Sequence, residues 1–499
     1  MAGPDATLET LRAAEDGYGY LDEGGHVYLD HTGAGLPARA QVRAHAERLA
    51  AGCFGNPHSV SPAAEASGAL VERARRRVLE HFRADPREYA VVFTANATGA
   101  CRLVGESYPF GPGRRLVLTL DNHNSVNGLR EYAHARGADT VYVPMRTPGL
   151  DVDASAMEAV LTAPAPAAPG AGGPDAGCPG AEGPGAPGPG TESPGAGDAR
   201  PRRGLLAYPA QSNFSGVRHG LHWIARARSA GWDVLLDAAA YVPANVLDLS
   251  AVHPDFVAVS WYKVFGYPTG VGSLIARREA LARLRRPWFS GGTIHAASAL
   301  GRWHTMADGE AAFEDGTVNY LSIPDVEVGL DWVRTIGVER VHRHVAALTE
   351  ELLAGLAGLR HSDGSPMAQV YGPLDTEHRG GTVALNFLDA RGGIVDERIV
   401  ARDSAAQGIS LRTGCFCNPG TGEAAFAIDR EVLNRAVRTA TGTIDDYVGR
   451  LGLPSGGAVR VSLGLSSHRR DIAALLAFAT AAYRDRVPDA AGLTPRAAC

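Results

Sequence analysis

The 499-residue sequence predicts an α/β fold: a largely parallel sheet buried on both faces, followed by a smaller α+β portion. Two observations carry this prediction. Seven short apolar runs recur before residue 280, separated by segments of helical spacing: YAVVF (89–93), LVLTL (116–120), TVYVP (140–144), GLLAY (204–208), DVLLD (233–237), FVAVS (256–260) and GSLIA (272–276). After about residue 290 the texture changes, and long amphipathic stretches (325–358, 469–484) mix with fewer strand-like runs.

Taken in order, the first strongly patterned helix is GALVERARRRVLEHF (68–82), where Val71, Ala74, Val78, Leu79 and Phe82 share one face. The first strand run leads into small residues, and Ala97, Thr98 and Gly99 open a helix. From Ala163 to Pro201 no apolar side chain exceeds Pro or Cys in size. Such a stretch cannot bury enough surface to offset its ordering entropy, so a disordered surface insertion is expected. It is not read as a domain linker, because strand-like runs continue on both sides. The later runs are GTVALNF (381–387), ISLR (409–412) and AVRVSL (458–463).

Composition excludes several classes. Net charge is −6 with pI near 6.3, which gives no basic surplus for nucleic acid. The N-terminus lacks a charged-then-apolar leader, and no apolar run approaches the ~18 residues of a membrane span. Six scattered cysteines (Cys53, Cys101, Cys178, Cys415, Cys417, Cys499) make no disulfide framework in a chain of this size. A soluble, cytoplasmic protein is the expectation.

Three stretches carry chemistry. In SWYKVFGYPTGVG (260–272), Lys263 follows an apolar strand directly. Ligands of open α/β sheets sit at strand carboxyl ends, and a lysine losing hydration there becomes a better nucleophile toward an aldehyde. A lysine can also simply extend its ammonium out of an apolar edge. Asp237 ends the preceding strand run, where it could hold a pyridine nitrogen protonated or merely cap a turn. The turn at Ala97, Thr98 and Gly99 offers free helix N–H groups to a phosphate, or is an ordinary capped junction. Together, in this order, the three point to pyridoxal 5′-phosphate (PLP).

The sequence resembles the class V, fold type I PLP enzymes, and within them the cysteine desulfurase-like domain of molybdenum cofactor sulfurases. The resemblance rests on YLDHTGAGLP (28–37), FGNPHS (54–59), DNHNSVNGLREYA (121–133), YPAQSNFSG (208–216), SWYKVFGYPTGVG (260–272), FEDGTVNYLSI (313–323), LRTGCFCNPG (411–420) and GAVRVSLG (457–464). It implies a seven-stranded, mostly parallel mixed sheet in a large domain (25–290). The small domain would comprise 1–24 and 291–499. It implies that Lys263 binds PLP as an imine, that Asp237 pairs with the pyridinium nitrogen, and that His123 stacks on the ring. Ala97, Thr98 and Ser260 would hold the phosphate, with Thr317 reaching it from a second subunit of a homodimer. Asn213 would lie near the phenolate and substrate, and Arg460 would grip the substrate carboxylate. No metal is implied.

In this family a loop cysteine takes sulfur from the substrate L-cysteine, leaving alanine, and passes it to an acceptor. Cys417 matches that position, with Cys415 beside it. Gly414 and the Asn-Pro-Gly turn are expected to give the loop freedom, and nearby Arg412 is a candidate to favour a thiolate. A structural zinc site would need four ligands where C-x-C offers two, and an i,i+2 disulfide would be strained. Three departures from relatives stand out: Gly422 occupies the place of a frequent third cysteine, Ala240 that of a glutamine, and Tyr262 that of a histidine. The tyrosine agrees with the sulfurase branch. Full sulfurases continue into another domain, so this chain is expected to supply the sulfur-mobilising half. Two alternatives stay open: another class V reaction, such as C–S lysis, transamination or epimerisation, or a non-enzymatic relative.

Overall fold

The computed structural model describes residues 6–164, 202–438, 443–452 and 455–496. All seven early runs form strands: β1 (Tyr89–Thr94), β2 (Arg115–Thr119), β3 (Asp139–Val143), β4 (Gly204–Pro209), β5 (Asp233–Asp237), β6 (Phe256–Ser260) and β7 (Gly272–Arg277). They lie in the order β1-β7-β6-β5-β4-β2-β3. β7 is antiparallel to both neighbours and the other pairs are parallel, giving the mixed, mostly parallel sheet expected. Every residue of β4 and β6 is buried, which explains why these runs are continuously apolar rather than alternating.

Helix α1 (Pro62–His81) starts where the Ser61 hydroxyl accepts from the Ala64 N–H and proline takes the first position. Its predicted face is buried against the sheet. Helix α2 (Ala97–Ser107) follows β1 at once, capped by Asn96, whose side chain accepts from the Gly99 N–H at 2.9 Å. The predicted helical stretch 325–358 is two helices, α3 (Pro324–Ile336) and α4 (Val338–Gly358). The break is Gly337 at φ +93°, a conformation glycine adopts without penalty.

A second, antiparallel sheet orders β8 (Ala368–Tyr371), β9 (Thr382–Phe387), β11 (Ala458–Ser462) and β10 (Arg412–Gly414) as β8-β9-β11-β10. The ISLR run is divided. Ile409–Ser410 pairs in parallel with Val27–Tyr28, and the chain then crosses to the other ladder as β10. Leu8, Tyr18 and Leu29 share a core with Leu348, Leu352, Val459 and Leu475, so the N-terminal tail packs with the later part of the chain. Ala312, Phe313, Ile323, Val326, Leu330 and Val333 pack instead in the cores of the large sheet, which favours a division nearer 336 than 290. The expected insertion begins in described structure, where the Ala163 carbonyl accepts from Arg203 Nη1 at 2.7 Å. Residues 165–201, with Cys178, and the terminal Cys499 lie outside the described residues. Among the described residues no helix is long and apolar enough to cross a membrane.

Candidate active site

The parallel strands all end at one edge, and that topology gathers the predicted residues. α2 leaves β1 there; Asp121 and His123 follow β2, Asn213 follows β4, Asp237 ends β5, and Lys263 follows β6. Because β7 runs the other way, its first residue, Gly272, returns to this edge between Thr94 and Ser260. A Cβ on Gly272 would come within 2.5 Å of the Asn96 backbone, so only glycine lets the α2 turn close on this edge.

Lys263 sits on the short helix Trp261–Phe265 and is half-buried. Below it the Trp261 indole N–H donates to Ser273 Oγ at 2.9 Å, and the ring stacks on Phe265. Above it lies the segment 33–37, where the Gly35 N–H donates to the Tyr262 carbonyl at 3.0 Å. A side chain at Gly35 would meet the Lys263 carbonyl at 2.9 Å. Burial lowers the Lys263 pKa, and Arg460 and Arg412 lower it further against the opposing fields of Asp237 and Asp30.

His123 caps the turn Asn124–Asn127. Its Nδ1 accepts from the Ser125 N–H at 3.1 Å and lies 2.9 Å from the Ser125 hydroxyl. With Nδ1 an acceptor, the neutral ring carries its proton on Nε2. Burial holds the ring below the usual imidazole range, with Lys263 and Arg460 adding and Asp237 opposing. The Ser125 hydroxyl is also 2.7 Å from that of Thr98, so one side chain links His123 to the α2 turn. Ser260 Oγ accepts from the Ala97 N–H at 2.9 Å at the same turn. The Asp237 carboxylate accepts from the Ala239 N–H at 3.0 Å.

Arg460, 3% exposed on β11, reaches this edge from the second sheet. It donates to the Asn213 carbonyl at 2.9 Å and to Asp30 Oδ1 at 2.7 Å, and lies over the Phe416 ring. Its buried Nε has no partner in the structure. Asp30 Oδ2 in turn holds Arg412 through Nε and Nη2, at 3.0 and 2.9 Å. Two guanidiniums on one carboxylate leave a net positive charge, suited to an acidic group of a substrate. Arg412 and Arg460 are also cross-strand partners in the β10–β11 ladder.

The Cys415–Gly420 turn departs from expectation. Its freedom is small. Phe416 and Cys417 both adopt left-handed φ, +54° and +53°, and glycine is present at neither. Phe416 is buried against Phe214, and its carbonyl accepts from Asn213 Nδ2 at 2.7 Å. The Cys417 carbonyl accepts from the Asn124 N–H at 2.7 Å, one residue past His123. The Cys417 side chain is exposed and Cys415 half-buried. Arg412, expected to favour the thiolate, is held by Asp30, and Cys417 is among the groups whose field it senses. Asn213, expected near the phenolate and substrate, turns its amide to the thiol loop.

Thr317 is exposed and accepts from Asn56 Nδ2 at 3.1 Å. It lines a cavity of about 360 Å³ with Ala95, Gly99 and Arg102, at the start of α2; Lys263 is not part of that lining. Among the described residues no cluster of His, Cys, Asp or Glu could hold a metal ion. Sequence reasoning missed Asp30 and Ser125. Both lie inside motifs quoted for the resemblance, but only the fold shows what they touch.

The family model "aminotransferase class-V" matches residues 27–166 and 197–475. Molybdenum cofactor sulfurase of Bos taurus is 34% identical over 95% of this chain and 51% of that protein. The Arabidopsis thaliana protein of the same name is 32% identical over 96% and 59%. The chain thus spans about half the length of these relatives. Among solved structures, apo cysteine desulfurase from Thermococcus onnurineus NA1 superposes with TM-score 0.72 at 21% identity, covering 96% of this chain and 97% of that one. A C-DES mutant with glycine covalently linked to its PLP cofactor gives TM-score 0.65 at 18% identity, covering 95% and 99%. With more than half its length matched, and the sheet order and strand-end lysine in place, this chain belongs to the aminotransferase class-V family.

Proposed function

We propose that the chain is a PLP-dependent cysteine desulfurase of the molybdenum cofactor sulfurase type, moving sulfur from L-cysteine to Cys417 and on to an acceptor. One observation carries the reading: the backbone of exposed Cys417 is bonded to Asn124, beside His123, so the thiol borders the place where His123, Lys263 and Arg460 sense one another. The relatives' names and the class V fold support it.

The donor set fits PLP. Lys263, with its pKa lowered, would present an amine to the aldehyde, and Asp237, one strand away, would meet the pyridine nitrogen. His123 would cover the ring. The turn of Ala97 and Thr98, with Ser260, would take the phosphate at a helix N-terminus. When bound, PLP supplies the electron sink that makes the C–S bond cleavable. Arg460 would hold the substrate carboxylate; its Nε has no hydrogen-bond partner among the described residues. Asn213 positions the thiol loop beside it. The Cys417 thiolate attacks the substrate sulfur; the C–S bond breaks, an S–S bond forms, and the former Cβ gains a proton to become the alanine methyl. The electron pair of the broken C–S bond stays with Cβ, which is reduced as the sulfur is oxidised to the persulfide level, so no outside oxidant or reductant is needed.

We also propose a homodimer in which Thr317 serves the neighbour's phosphate site, a reading supported by its exposure. A cytoplasmic location and a sulfur acceptor, protein or small molecule, complete the proposal. The test is anaerobic turnover of L-cysteine by wild type and Cys417→Ala. Alanine and a persulfide at Cys417 in wild type, both lost in the variant, support the reading. Pyruvate without alanine, or full activity in the variant, assigns the site to another class V reaction.

A further inference from the structure

Asp121 lies two residues before His123, and its side chain is fully buried. Its carboxylate collects four donors. Oδ1 accepts from the Ser212 hydroxyl at 3.0 Å, the Asn418 amide at 2.6 Å and the Thr421 hydroxyl at 2.8 Å. Oδ2 accepts from His219 Nε2 at 2.7 Å. Burial pushes this carboxyl up, but His219, Asn418 and Thr421 outweigh it and hold the group below the usual carboxylate range. It is an anion inside the protein, satisfied on both oxygens.

The donors come from stretches far apart in sequence, and two of the four, Asn418 and Thr421, lie in the turn and helix start just after Cys417. Asn418 gives its amide to Asn213 Oδ1 as well, at 3.0 Å, and Asn213 passes its own amide to the Phe416 carbonyl. A continuous hydrogen-bonded chain therefore runs from Asp121 through Asn418 and Asn213 to the residue before the thiol. Left-handed backbone at two successive non-glycine residues persists only where its surroundings over-determine it. The Asp121 chain, the Asn124 bond and the packing of Phe416 are those surroundings.

We propose that Asp121, oriented by His219, is a positioning residue for Cys417: it fixes where the thiol stands at the rim of the Lys263 site and takes no part in holding the cofactor. The sulfur-transfer role it serves is the one proposed above for Cys417. Asp121→Asn keeps the shape but turns one acceptor into a donor that faces donors. Its placement of the loop is read without turnover, by hydrogen exchange of residues 412–422 and by the iodoacetamide alkylation rate of Cys417, mapped on peptides of the cofactor-loaded full chain. Expected are faster exchange and an alkylation rate changed by roughly 5-fold or more. The cofactor absorbance and the half-saturation of the L-cysteine spectral change should hold within about twofold, while kcat for alanine falls roughly 10- to 100-fold. Thr421→Val should act in the same direction and Thr421→Ser should restore wild-type values, because serine keeps the hydroxyl.

Unchanged exchange and alkylation in both Asp121→Asn and Thr421→Val overturn the proposal. So does a loss of cofactor and of half-saturation in step with kcat, which marks a general structural role. If Asp121→Asn does not fold, the Thr421 pair decides alone. Should Cys417→Ser retain alanine formation, the sulfur-transfer reading fails, while the exchange and alkylation results still judge the placement of the loop.

Discussion

Lys263 and Cys417, the two residues of the proposed sulfur transfer, are held by different kinds of structure. Lys263 stands one helical turn beyond a fully buried strand, with main-chain ladders on both sides of that strand and a stacked Trp261–Phe265 pair beneath. Cys417 stands on a turn of left-handed residues, held by a side chain and single backbone bonds from the segments that follow β4 and β2. The first arrangement is rigid because the sheet is rigid. The second is rigid only while a few specific hydrogen bonds and one buried ring persist. Damage at the lysine side should therefore abolish chemistry and spare the loop, and damage at the loop should spare the lysine.

The largest effect expected is that of Lys263→Ala. It removes the imine absorbance and lowers alanine formation at least about 10³-fold, while exchange of the Cys417 loop stays near wild type. Next is Phe416→Ala, which empties the pocket against Phe214 and costs about 3 kcal/mol of protection in the loop, read by hydrogen exchange. Cofactor absorbance should survive that change; if it is lost, the two regions are not separable. A smaller and graded effect comes from pH. Lowering of the Lys263 pKa keeps more of the amine neutral, so the uptake of PLP by the apo chain should rise with pH to a midpoint below the ordinary lysine value of about 10.4. Arg460→Gln removes one of the charges responsible and moves the midpoint upward. The smallest effect belongs to Ser125→Ala, which keeps the backbone donor to His123 but deletes the hydroxyl. It should cost about 1 kcal/mol, or less than about tenfold in kcat, with little change in KM.

The same division separates what could be read in the sequence from what could not. Apolar runs ending in Asp237, or running straight into Lys263, are local patterns, and parallel topology then forces those ends to one edge. Nothing local distinguishes Asp30 or Asp121 from any other acid, because their partners lie hundreds of residues away. The loop was misread for a related reason. Gly414 and the Asn-Pro-Gly turn suggest freedom, but the constraints on Cys417 come from Asn213, Asn124 and Asp121, which only the fold brings near. Asn213 could be placed at the site by resemblance, while the direction of its amide could not.

The β10–β11 ladder has a bearing on substrate choice. Arg460 and Arg412 face each other across it, and Arg412 is five residues before Cys417. Arg460, the proposed grip on the carboxylate, and Arg412, at the root of the thiol loop, thus share one hydrogen-bonded frame. Under the proposed function, and while the loop bonds persist, that frame would set the span for the amino acid laid between Arg460 and Cys417. A homologue with one extra methylene carries its sulfur about 1.5 Å farther from the carboxylate than cysteine does. An attack that depends on near-contact alignment tolerates such an overshoot poorly, so the proposed site would favour cysteine over homocysteine on length, before any difference in reactivity mattered.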